Sequence, residues 1–253
     1  MRFLLRLLSE DSAVGRFLNR LYLIITANLL FVLFSVPVVT IGASLSALNY
    51  TMLKYRRGDK HFKVTSLFWK GFKENFVTST ICFVGLVLLV LVQILEITWC
   101  RQFTGPVAYM WYLLVGLIVL EGMIAVYLFP VIAAFNGKAW ELIKDAMFFA
   151  FSKPHLMLLC VALHVLPLVV SYAFLDLLPL WAFLWLMFGF GIIAYLSSGI
   201  MLKQFIPFLP QVDICGDVIP PGMEDDPNIM VGEEDSAPDA DEKTLQEMMK
   251  YGL

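Results

Sequence analysis

Charge is what this sequence has least of. Only 15% of its 253 residues are charged, against 60% hydrophobic, and the mean hydropathy is +0.79. A soluble domain of that length needs far more polar surface, so water is excluded as the solvent of most of the chain. Cysteine is sparse and scattered. Cys82, Cys100, Cys160 and Cys215 show no CxxC or Cys/His spacing, which argues against a disulfide framework or a metal site. The phosphate loop GxxxxGK[ST], the zinc motif HExxH, the nucleophile elbow GxSxG and any His pair at i and i+4 are all missing. The chemistries they carry go with them. No catalytic, cofactor-binding or metal-ligating residue is expected, and the chain is not expected to be an enzyme. No cleavable leader is expected either, because Arg6 interrupts the first apolar run and Glu10 and Asp11 stand where a small-residue cleavage site belongs. Residues 1–20 read either as a short helix in the headgroup layer, with Phe3, Leu4, Leu7 and Leu8 on one face beside Arg2 and Arg6, or as a frayed terminus.

What is present is a series of long apolar runs. The first, from Leu21 to about Leu53, is roughly 50 Å as a helix against a hydrocarbon core of about 30 Å. Pro37 lacks the amide hydrogen that a continuing helix needs, and Thr40 stands where it would cap a new one. The run is therefore expected to break into a span over 21–36 and a shorter return over 41–54. The competing reading is one long kinked span. The return contains Gly42, Ala43, Ser44, Ser46 and Ala47, small residues that let helices approach closely in lipid. Further spans are expected over 76–98, 107–130, 155–173 and 180–200. The fold class is thus an all-α, polytopic transmembrane bundle of five long spans plus a short return helix after Pro37. Residues 21–206 form the membrane domain and 207–253 the tail.

Charge, where it occurs, is asymmetric. Lys54, Arg56, Arg57, Lys60, Lys63, Lys70 and Lys73 crowd the segment after the return helix, and basic residues collect in cytoplasmic loops. Arg2, Arg6, Arg16 and Arg20 place the N-terminus on the same side, which requires two crossings between the clusters and favours the break. That basic segment is expected to meet anionic lipid or a partner's acidic surface rather than nucleic acid. Two stretches, Val64, Leu67, Phe68, Phe72 and Phe76, and then Lys138–Lys153 with Trp140, Ile143, Met147 and Phe151, have the spacing of interfacial helices that lead into spans. From Asp213 onward the chain holds twelve acidic and two basic residues. With its Pro and Gly content, Asp213–Asp239 is expected to be disordered and cytoplasmic.

Polar groups within hydrocarbon are functional candidates by default. Glu121 and His164 each lie nine residues from the end of their spans at Pro130 and His155, roughly 13 Å deep. They form a candidate intramembrane pair, read either as a neutral structural contact or as a proton-coupling site. Asn28 and Gln93 read as interhelical hydrogen-bond partners, and Glu96 as the ion-pair partner of Arg101.

The block Pro37-Val-Val-Thr-Ile-Gly-Ala-Ser44, with Phe72-Lys-Glu-Asn-Phe76 and the compatible Lys144-Asp-Ala146, resembles the YesL family of bacterial integral membrane proteins, a domain of unknown function. The resemblance covers roughly Gly15 to Phe205 and leaves the acidic tail outside. It implies a multi-pass protein of the bacterial cell membrane linked to oligosaccharide uptake and breakdown, often beside sugar ABC transporters. It implies no catalytic residues. Two functions follow as expectations. One is an accessory component of carbohydrate uptake acting with ABC permease subunits. The other is a small secondary transporter or proton-coupled permease in its own right, using Glu121, His164 and the helix break.

Overall fold

The computed structural model describes residues 12–57, 63–103, 105 and 109–209. The chain divides after Pro207, and the unit Met1–Pro207 is a bundle of helices with no strand among its described residues. Its described residues form eight α-helices: α1 (Ala13–Phe34), α2 (Ile41–Arg56), α3 (Val64–Cys100), α4 (Met110–Ala134), α5 (Ala139–Ser152), α6 (Pro154–Ala173), α7 (Leu178–Leu184) and α8 (Phe190–Phe205). A π-helical stretch, Trp185–Gly189, joins α7 to α8. Five helical stretches, Val14–Phe34, α3, α4, α6 and Leu175–Phe208, are long and apolar enough to cross a membrane. The protein is an all-α transmembrane bundle. The expected tail disorder, residues 1–11, Lys60 and His61 lie outside the described residues.

The break at Pro37 is present. Ser12 caps α1 by accepting the Gly15 amide hydrogen at 2.9 Å, α1 stops at Phe34, and one 3₁₀ turn, Val38–Thr40, precedes α2. Thr40 occupies the position before α2, but its side chain caps nothing there. Its hydroxyl reaches backward to the carbonyls of Phe34 at 2.6 Å and Pro37 at 2.7 Å, where it ties the turn. The connection is not a tight hairpin. Phe34 rests on Phe68, Trp69 and Phe72 of α3, whereas Gly42 abuts Ser79 and Phe83 of the same helix. The seven residues between them therefore travel along α3 for about three turns.

The short helix is the hub. α2 runs antiparallel to α3, with Gly42 at Ser79 and Tyr50 at Gly71, and also packs on α1, α4 and α8. Ten of its 16 residues are buried. A Cβ at Gly42 would lie 2.5 Å from the Ser79 carbonyl oxygen, and one at Gly71 would lie 2.8 Å from the Tyr50 ring. Only glycine permits those approaches. Ser79 donates to Ser46 Oγ at 2.7 Å across the same interface. At the C-terminal end of α2, Arg56 lies flat over Tyr195 at 4.0 Å and donates to the Tyr195 carbonyl and Ser198 Oγ of α8.

One sequence expectation is sharpened here. The segment 64–76 runs into the following span without a break, as the first third of α3, which contains no proline. Its Phe68 and Phe72 are buried in the core with Leu23, Phe31 and Met52. α5 is a separate helix, started by the Glu141 carboxylate accepting the Lys138 amide hydrogen at 3.0 Å. It buries Leu142, Ala146, Phe149 and Ala150, which leaves Trp140, Met147 and Phe151 on its exposed face. Phe149 closes a ring triangle with Phe135 and Phe205.

Candidate functional site

The polar interior is built from neutral groups. Asn28 is completely buried on α1. Its Nδ2 donates to the carbonyls of Trp185 at 3.2 Å and Leu186 at 2.6 Å, and its Oδ1 accepts the Gly191 amide hydrogen at 2.8 Å. A π turn takes backbone groups out of the regular helical ladder, and in hydrocarbon these must be met inside the protein. One asparagine, more than 150 residues away in sequence, meets three of them.

Glu121 and His164 are not joined. The structure gives Glu121 a different partner, Gln93 of α3, whose Nε2 donates to Glu121 Oε1 at 2.5 Å. His164 Nδ1 donates to the Cys160 carbonyl at 2.8 Å within its own helix. The depth match is real, since His164 shares a cavity with Gly122, Ala125 and Val126 of α4. The direction is what differs. Successive helix positions are turned by about 100°, so presenting Gly122 to α6 turns Glu121 toward α3. Glu96 and Arg101 form no ion pair. The ion pair seen among the described residues, Lys70 with Glu74 at 3.9 Å, is exposed and worth little.

What the fold gathers around His164 is a cleft between α2, α4, α6 and α8. It has two lobes. One, of about 210 Å³, is lined by Leu45, Asn49, Gly122, Ala125, Val126, Phe129, Pro130 and His164. The other, of about 130 Å³, is lined by Leu45, Leu48, Asn49, His164, Leu168, Trp185, Phe190, Ile193 and Ala194. Leu45, Asn49 and His164 stand between the two. Asn49 is 93% buried, being 7% exposed, and its Nδ2 donates to the Leu45 carbonyl at 2.8 Å. Sequence reasoning passed over Asn49. Its signal was that α2 carries no other Asn, Asp, Gln or Glu, and its charged residues, Lys54 and Arg56, lie only in the last turn.

α6 is anchored on either side of this cleft. Toward its N-terminus, Met157 and Cys160 are buried. Beyond the cleft, Trp185 Nε1 donates to Ser171 Oγ at 3.0 Å, and the Trp185 ring packs on Phe190 at 4.9 Å. No group of three or more Cys, His, Asp or Glu able to hold a metal occurs among the described residues. No charged side chain lines either lobe.

A family model described as a protein of unknown function, DUF624, matches residues 24–97. That stretch is α1 from Ile24, the Pro37 turn, α2, and α3 to Ile97. DUF624 is the domain found in YesL-type proteins. No curated protein and no solved structure matches the chain. The DUF624 segment thus contains the hub helix, Asn28, Asn49 and Gln93, while His164, Glu121 and the π turn lie outside it.

Proposed function

We propose that this chain is a YesL-type protein of the bacterial plasma membrane, non-enzymatic, with both termini in the cytosol, and that it is an accessory component of carbohydrate uptake beside an ABC transporter. The observation that carries this reading is the character of the cleft. A route for a sugar needs a file of hydrogen-bonding side chains to replace water on each hydroxyl, and the two lobes hold only Asn49 and His164. The resemblance over Gly15 to Phe205 supplies the carbohydrate context, and the DUF624 match supports only the YesL-type reading. Orientation rests on Lys54, Arg56, Arg57, Lys60, Lys63, Lys70 and Lys73; Arg56 is held by Tyr195 and Ser198 of α8, and the others are assigned to anionic headgroups or a permease subunit rather than nucleic acid.

Crosslinking and mild-detergent purification from native membranes tests it: sugar ABC permease subunits co-purify, and liposomes holding this protein alone take up no oligosaccharide. Uptake by such liposomes would overturn the accessory role. It would establish the second reading, a small secondary transporter, which the cleft beside a helix break favours. Reporters fused before Met1 and after Leu209 should both read as cytosolic.

A further inference from the structure

The His164–Asn49 cleft has a chemistry that the uptake reading does not use. His164 Nδ1 donates to a carbonyl, so in the neutral ring Nε2 is an acceptor. It has no partner among the described residues. Asn49 commits Nδ2 to the Leu45 carbonyl, and its Oδ1 likewise accepts nothing among the described residues. Two acceptors thus border lobes otherwise walled by Leu45, Val126, Leu168 and Trp185. α6 cannot close onto them. It is pinned at Cys160 on one side and by the Ser171–Trp185 hydrogen bond on the other. An open, apolar cleft in a bilayer fills from the bilayer, and acceptors in hydrocarbon demand a donor.

We infer that the cleft between α2, α4, α6 and α8 binds a neutral, hydroxyl-bearing lipid that enters sideways from the membrane, its hydroxyl donating to His164 Nε2 and its chain lying in the two lobes. A charged headgroup is not matched, because no charged side chain lines either lobe. The lipid's hydroxyl is thereby held at the depth of His164, roughly 13 Å inside the helix end. The site is independent of the carbohydrate reading and stands or falls without it.

The test uses the full chain in phosphatidylcholine nanodiscs, a diazirine-bearing hexadecanol and the methyl ether of that same probe, with labelled residues mapped by mass spectrometry. The alcohol is expected to label cleft residues of α2, α4 and α6 at least tenfold more than the ether, which cannot donate. His164→Phe brings alcohol labelling down to the ether's level, and Ala125→Phe, which fills the larger lobe and leaves both polar groups in place, abolishes labelling there. Equal labelling of the unaltered protein by alcohol and ether overturns the proposal, because the cleft then holds only acyl chain or solvent. So does alcohol labelling that His164→Phe leaves unchanged. The alcohol-to-ether comparison needs no variant, so a variant that fails to fold does not blunt the test.

Discussion

The two halves of this bundle both lie among apolar helices and are differently built. Around α2, the turns of α1, α3, α4 and α8 that touch it are buried, and Gly42, Ala43, Ser46, Ala47, Gly71, Ser79 and Gly191 line the contacts. In the other half, Gln93 is the one buried side chain described between Val84 and Leu120, and none is buried from Val161 to Gly189. Leu and Val there face outward along α3, α4 and α6. Hydrophobicity therefore decides that a helix lies in lipid, whereas small residues and paired polar groups decide which helices touch.

The largest break in that contrast should come from Asn28→Leu. It removes three hydrogen bonds from the backbone of 185–191, and at about 1–3 kcal/mol for each unsatisfied group the variant should lose about 3 kcal/mol or more. Thermal unfolding in detergent measures it. An unchanged midpoint would mean that polar closure does not hold the packed half together.

Next, Gly42→Leu and Gly71→Leu should each cost about 1–3 kcal/mol, since their side chains meet α3 and Tyr50. Gly85→Leu and Gly116→Leu, which meet nothing within 4 Å, should stay within about 0.5 kcal/mol. Comparable losses in all four would erase the distinction between the halves.

In the sparse half, Gln93→Leu leaves the Glu121 carboxyl without its partner and should destabilise by about 1–2 kcal/mol. The double change Gln93→Leu with Glu121→Leu should recover most of that. Failure to recover would give Gln93 a packing role that its contacts do not suggest. The smallest effect belongs to Ser79→Ala, about 0.6 kcal/mol for one interhelical hydroxyl bond in lipid, read from the same unfolding curves.

Much of this architecture was legible in the sequence for local reasons. Pro37 ends a helix wherever it falls, five apolar runs announce five spans, and the small residues from Gly42 to Ala47 mark a close-packed helix. The direction of Glu121 was not legible, because α4 is apolar all round and no periodicity tells which face meets α3. The role of Asn28 depends on a π turn some 160 positions later, and no local pattern couples the two. Spacing over 64–76 shows an amphipathic face, but not that other helices cover its Phe68 and Phe72.

The hub helix has a consequence for how the molecule is made. α2 is 16 residues long, roughly 24 Å and short of a bilayer, and it carries Asn49, Thr51, Lys54 and two serines that hydrocarbon rejects on their own. It cannot be released into the membrane as soon as it is synthesised. Insertion must wait until α3 emerges to shield it, so a ribosome-bound chain carrying residues up to Arg57 followed by a polar tether that clears the exit tunnel should leave α2 accessible to water-soluble thiol reagents through a cysteine placed at Ala47, and one carrying residues up to Cys100 before the same tether should not.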